Sequence, residues 1–212
     1  MSKILLVIVS VLFMTHMSNA QEADSQKKIS YGLKAGLNIS SVYDSDGEDF
    51  DADPKFGLAA GIFVAFPIGK SFGFHPEVLF SQKGYKTSGT YLGVFDYEFT
   101  RTSNFLDIPL LIAYKPSETF ALVAGPQISY LMYQKDVFTS GELSEQQTED
   151  FANDNLRKNT LCFLGGFDLN FYPVVIGARA GWDIQNNNGD GTSTDPRYKN
   201  VWYQASIGYR FQ

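Results

Sequence analysis

Ile29-Ser30-Tyr31-Gly32-Leu33-Lys34-Ala35-Gly36-Leu37-Asn38-Ile39-Ser40 alternates without a break. Ile29, Tyr31, Leu33, Ala35, Leu37 and Ile39 share one parity, and Ser30, Gly32, Lys34, Gly36, Asn38 and Ser40 the other. Side chains of an extended chain point alternately to opposite sides, so a period of two specifies a strand with one apolar and one polar face. The run is long for a globular strand, which usually carries ~5–6 residues.

Seven further runs of the same kind follow. Phe56 to Phe66 opposes Phe56, Leu58, Ala60, Ile62, Val64 and Phe66 to Gly57, Ala59, Gly61, Phe63 and Ala65. Later runs begin near Phe72, Phe99, Phe120, Leu161, Val174 and Val201, the last ending on Tyr209 and Phe211. Short turns at Ile68 to Ser71, Lys115 to Glu118 and Tyr172-Pro173 alternate with long polar segments at 41–54, 87–98, 134–158 and 185–199. Eight strands suffice to close a sheet, and an outer-membrane barrel joins them by short periplasmic turns and long external loops. The expectation is therefore an all-β fold: an eight-stranded antiparallel transmembrane β-barrel with short periplasmic turns and long extracellular loops.

Composition agrees with this class once residues are sorted by parity. Of 212 residues, 44% are hydrophobic and 19% charged. The mean hydropathy of -0.15 is too polar for a bundle of membrane helices. Apolar residues on alternate positions average out with the polar face, so a membrane barrel has ordinary hydropathy. The net charge of -6 argues against nucleic acid as a partner, since phosphate binding needs a basic stripe. A single Cys162 rules out an internal disulfide framework and a cysteine-based zinc site. Residues 1–20 read as a secretory signal peptide: Lys3, an apolar core from Ile4 to Met14, and Ser18-Asn19-Ala20 as the cleavage site. Residues 21–28 then form a short N-terminal periplasmic segment and 29–212 the barrel domain, which places the chain in the outer membrane of a Gram-negative bacterium.

Aromatic rings prefer a membrane interface. Tyr31, Phe66, Phe72, Phe74, Tyr114, Phe120, Phe171, Tyr209 and Phe211 fall on outward positions near short turns or termini, as a girdle requires. Phe56, Phe80, Tyr130, Trp182 and Tyr203 supply an outer one. A soluble lipocalin-like barrel would show the same alternation with its apolar face inward. Its exterior would then be the face rich in Gly, Ala and Ser, which suits a narrow lumen better. Pro76, Pro109 and Pro126 lie inside three consecutive strands, where a missing donor predicts bulges or gaps aligned between neighbours.

Particular strings carry a family likeness. Phe74-His75-Pro76-Glu77-Val78-Leu79-Phe80-Ser81-Gln82-Lys83-Gly84, Phe105-Leu106-Asp107-Ile108-Pro109-Leu110-Leu111-Ile112, Ala124-Gly125-Pro126 and Gly208-Tyr209-Arg210-Phe211 resemble the PorT-like outer-membrane β-barrel proteins of Bacteroidota, over about residues 29–212. The resemblance implies an eight-stranded barrel, and its namesake is tied to assembly of a secretion system. It implies no activity.

The inward parity carries both signs: Lys34, Lys83, Arg179 and Arg210 with Glu77, Asp107, Asp168 and Asp183. Charges inside a small barrel must be paired, so these predict a lumen charge network, with a narrow ion path as the alternative. His75 shares a face with Glu77, the only hint of a general base, but no nucleophile accompanies the pair. The reading is non-enzymatic and without cofactor. Asp44, Asp46, Asp49, Asp51 and Asp53 crowd the first loop and are candidate calcium ligands without EF-hand spacing. Glu142 to Leu156, within the third loop from Ser140 to Asn159, has helix-forming character. Expected partners are outer-membrane lipid and lipopolysaccharide, the barrel-insertion machinery and secretion-system proteins. The expected role is structural or interactive, in secretion or envelope assembly.

Overall fold

The computed structural model describes residues 28–44, 52–91, 95–140, 143–149, 157–187 and 198–211. Nine strands run in chain order: β1 (Ser30–Asp44), β2 (Asp53–Ile68), β3 (Phe72–Tyr91), β4 (Phe95–Tyr114), β5 (Phe120–Ser140), β6 (Leu143–Glu149), β7 (Asn159–Phe171), β8 (Val174–Asp183) and β9 (Tyr198–Phe211). Among the described residues there is no helix. Eight strands form a closed antiparallel ring in the order β1, β2, β3, β4, β5, β7, β8, β9, with β9 returning to β1. The closing β1–β9 ladder runs from Tyr31 opposite Phe211 to Asp44 opposite Tyr198.

Every strand turns the parity expected from sequence. Leu33, Leu37, Leu58, Ile62, Ile128, Ile176 and Ile207 are exposed on the outer wall, whereas Lys34, Asn38, Glu77, Gln127, Arg179 and Gln204 are buried inside. Water would not sustain an outer wall of this kind, and lipid requires it. Rings close the periplasmic girdle: Tyr31 lies 5.7 Å from Phe211, Phe72 5.2 Å from Tyr114, Phe66 6.3 Å from Phe74, and Tyr209 5.2 Å from Phe211.

Each interior proline breaks one ladder. Between β2 and β3 pairing lapses from Phe63–Glu77 to Phe66–Phe74, where Pro76 has no N–H. Between β3 and β4 it lapses after Pro76–Leu110 until Leu79–Asp107, at Pro109. Between β4 and β5 it lapses after Pro109–Gln127 until Ile112–Ala124, at Pro126. Because Pro76 sits beside Leu110 and Pro109 beside Gln127, the three gaps step diagonally around the wall.

Two segments expected as loops are strands. Within 87–98, residues 87–91 end β3 and 95–98 begin β4, the two held together by Lys86 Nζ to Glu98 Oε1 at 3.2 Å and Thr90 Oγ1 to Asp96 Oδ1 at 2.9 Å. The third loop, whose helix-forming stretch 142–156 points to a short external helix or a mobile segment, is corrected in part: Leu143–Glu149 is strand β6, paired with Gln134–Ser140 of β5, while 142 and 150–156 lie outside the described residues. Backbone pairing with an open edge outweighs the helix preference of a Glu- and Gln-rich sequence. β3, β4 and β5 reach 20, 20 and 21 residues, about twice the ~9–11 that a tilted strand needs to cross the bilayer. Their outer halves, with β6, therefore stand above the belt as a projecting sheet.

Candidate functional site

The polar lumen concentrates the chemistry of the chain, and it is organised in levels. Nearest the periplasmic end, Glu77 of β3 is the hub. Its Oε1 accepts from Lys34 Nζ of β1 at 2.5 Å and from Arg179 Nη2 of β8 at 3.0 Å, while Arg179 Nη1 reaches Asp168 Oδ1 of β7 at 3.0 Å. β3 and β8 are four places apart in a ring of eight, so the Glu77–Arg179 pair spans the full bore. Below it, Arg210 Nη2 donates to Asn170 Oδ1 at 2.6 Å.

At mid-height Gln204 Nε2 donates to Asn38 Oδ1 at 2.9 Å, and Asn38 Nδ2 donates to Ser81 Oγ at 2.9 Å. Above these, Lys83 Nζ sits 2.9 Å from Asp107 Oδ2 and 3.7 Å from the centre of the Trp202 ring. The indole lies against Gly181, where an added Cβ would come within 2.4 Å of it. Cys162 Sγ donates to Asp183 Oδ1 at 3.1 Å. Asp183 Oδ2 accepts from the Asn200 backbone N–H at 2.9 Å and from Asn200 Nδ2 at 2.5 Å.

The uppermost level lies in the projecting sheet. Arg101 of β4 grips Asp136 of β5 with two bonds, Nε to Oδ1 at 2.9 Å and Nη2 to Oδ2 at 2.6 Å. Its Nη1 donates to the hydroxyl of Tyr198 at 3.0 Å, on β9 at the opposite side of the ring. Burial raises the pKa of both phenols here, Tyr85 to about 12 and Tyr198 likewise upward. The lumen is thus crossed at three heights by side chains from opposed or nearly opposed walls.

The outer membrane protein beta-barrel domain family matches residues 19–192. The chain belongs to that family. No curated protein sequence matches it. Among solved structures it is similar to Ail, the attachment invasion locus protein of Yersinia pestis, at 18% identity and TM-score 0.48, covering 87% of this chain and 99% of that one. Neisserial surface protein A is similar at 14% identity and TM-score 0.45, covering 85% and 97%. OprG of Pseudomonas aeruginosa follows at 11% and 0.38, covering 88% and 98%. These likenesses are distant, and the fold of this family member stands on its own strand pairing.

Of the eight charged residues read from the inward parity, six form two ion-paired groups in the lumen of this outer-membrane barrel rather than one network, and two are held outside them. Lys34, Glu77, Asp168 and Arg179 are joined to one another, and Lys83 pairs with Asp107. Asp183 is held by amides and the thiol, and Arg210 by an amide. Glu77 Oε1 is taken by two cations, and Glu77 Oε2 and His75 Nε2 have no hydrogen-bond partner. Cys162 is fully buried and beside Ser129, with their heteroatoms 3.3 Å apart. The first acidic loop, from 45 to 51, and the signal segment lie outside the described residues; Asp44 pairs through its backbone with Tyr198, and Asp53 is exposed. Among the described residues no group of three or more His, Cys, Asp or Glu is placed to hold a metal ion. Trp202 and the Arg101–Asp136–Tyr198 set escaped the sequence reading. Trp202 shares parity with Gln204 and Ser206, so its inward position was legible, whereas Arg101 finds its partners Asp136 and Tyr198 in segments, 134–158 and 185–199, that read as loop.

Proposed function

We propose that this outer-membrane barrel is a non-conducting, non-enzymatic structural and interaction protein of the PorT-like kind, serving secretion or envelope assembly from the cell surface. The observation that carries the reading is the lumen crossed by Arg179–Glu77, Lys83–Trp202 and Arg101–Tyr198, together with the projecting β3–β6 sheet. An eight-stranded bore holds little beyond side chains, and buried ion pairs are costly to break, so solute passage is disfavoured. A raised wall of strands offers surface instead of a channel. Lipid and lipopolysaccharide surround the apolar belt, and the terminal strand with Tyr209 and Phe211 suits recognition by the insertion machinery. Gene deletion followed by comparison of exported proteins and surface composition tests the role: altered export or surface composition is expected, and an unchanged profile of both would overturn it. N-terminal sequencing of the membrane form is expected to begin at Gln21.

A further inference from the structure

We propose that the outer edge of β6 takes up an extended, lysine- or arginine-bearing segment of a partner protein as an added strand. The proposal rests on the interaction role argued above and names the chemistry of the partner. Lower in the wall the sheet closes on itself and has no edge. In the projecting part closure stops, and β6 pairs with β5 alone at the end of the sheet. The β5–β6 register runs unbroken from Gln134–Glu149 to Ser140–Leu143, and β4 holds the other side of β5 up to Tyr97–Ser140. Alternate residues of an edge strand direct their N–H and C=O groups away from the sheet, which makes a template for a further strand. Among the described residues no strand lies beyond β6: β8, which flanks β7 lower down, pairs with it only up to Cys162–Asp183.

Charge selects the occupant. Edges that must stay unpaired are guarded by lysine, proline or a bulge, and Leu143–Glu149 has none of these. It carries Glu145 and Glu149 instead, and from Glu142 to Asp154 the sequence holds five carboxylates and neither lysine nor arginine. Two copies of this edge would bring like charges together, which destabilises a strand pair. A cationic strand satisfies both demands, backbone pairing along the 7 residues of β6 and opposite charge across the ladder. The other edge of the projecting sheet, residues 87–91 of β3 above the Lys86–Asp53 pair, is uncharged and interrupted by Gly89, which weakens it as a template.

The test uses the full chain refolded in maltoside micelles and a synthetic peptide of the length of β6 that alternates lysine with valine and is blocked at both ends. Amide hydrogen exchange followed by NMR is expected to show saturable protection of alternate residues within 143–149 when the peptide is added. The same peptide N-methylated at alternate residues keeps its charge but loses donors, and is expected to protect none of them. The double variant Glu145→Lys, Glu149→Lys is expected to weaken the apparent Kd for the lysine peptide about tenfold, since two attractive charges become repulsive. Retained heat-modifiability verifies that this variant folds. No protection, equal protection by the N-methylated peptide, or an unchanged Kd in the double variant overturns the proposal. Protection of 143–149 without any peptide also overturns it; if that protection rises with protein concentration the occupant is a second copy, and if not, a loop of this chain. Gene deletion judges the role separately: altered export or surface composition without peptide capture would overturn the edge site and leave the role standing.

Discussion

Glu77 shows how a single residue can govern a buried network. Its one carboxylate answers Lys34 and Arg179, each buried within the lumen. Replacing it by Gln keeps the shape, strands Lys34 and leaves Arg179 with Asp168 alone, which should cost ~3–5 kcal/mol, the usual penalty for removing one partner of a buried pair. Urea unfolding of the refolded barrel checks this, and an unshifted midpoint would contradict the hub role. Adding Lys34→Met to Glu77→Gln should recover part of the loss, because the stranded ammonium is then gone. Trp202 makes the parallel case for packing: Trp202→Ala should cost ~3–5 kcal/mol through the cavity it leaves over Gly181 and Lys83.

Strands divide into a part that lipid shapes and a part that only neighbouring strands shape. Ile62 of β2 is exposed in mid-wall, between Leu33 and Val78. Ile62→Arg should destabilise the barrel by ~2–4 kcal/mol, whereas Tyr203→Arg, nearer the outer end of β9, should cost only ~0–1 kcal/mol, since the penalty falls with distance from the bilayer midplane. Equal losses at both positions in folding titrations with lipid vesicles would dispute the depth assignment. The projecting part is dispensable for closure: β5 pairs with β7 from Phe120–Leu169 to Tyr130–Asn159, and β6 only extends that edge upward. Deleting residues 134–155 should therefore leave a barrel that still migrates differently on a gel when unboiled. Loss of that shift would mean that β6 belongs to the closing ring.

At the scale of the whole molecule, a ring whose bore is crossed at three heights should conduct nothing. Planar-bilayer recordings of the refolded chain are expected to stay at baseline, and discrete steps would overturn the sealed lumen. Strand parity was legible from Ile29 to Phe211 because lipid outside and close packing inside impose opposite demands on successive residues, and that contrast is written directly in the chain. The identity of eight inward charges was legible for the same reason, as were the three proline gaps, since a missing N–H is a property of the residue itself. Which charge meets which was not: Glu77 and Arg179 are 102 positions apart, and their contact follows from the ring placing β3 opposite β8. The outer ends of β3, β4 and β5, residues 87–91, 95–98 and 134–140, read as loop because they fall in long segments rich in polar residues; pairing such as Lys86–Glu98 and Arg101–Asp136 makes them strands. Local alternation thus determined that this chain is a membrane barrel and which side chains enter it, while closure of the ring decided the pairing, the contacts across the lumen and the height of the wall, because those depend on residues far apart in sequence meeting across a closed sheet.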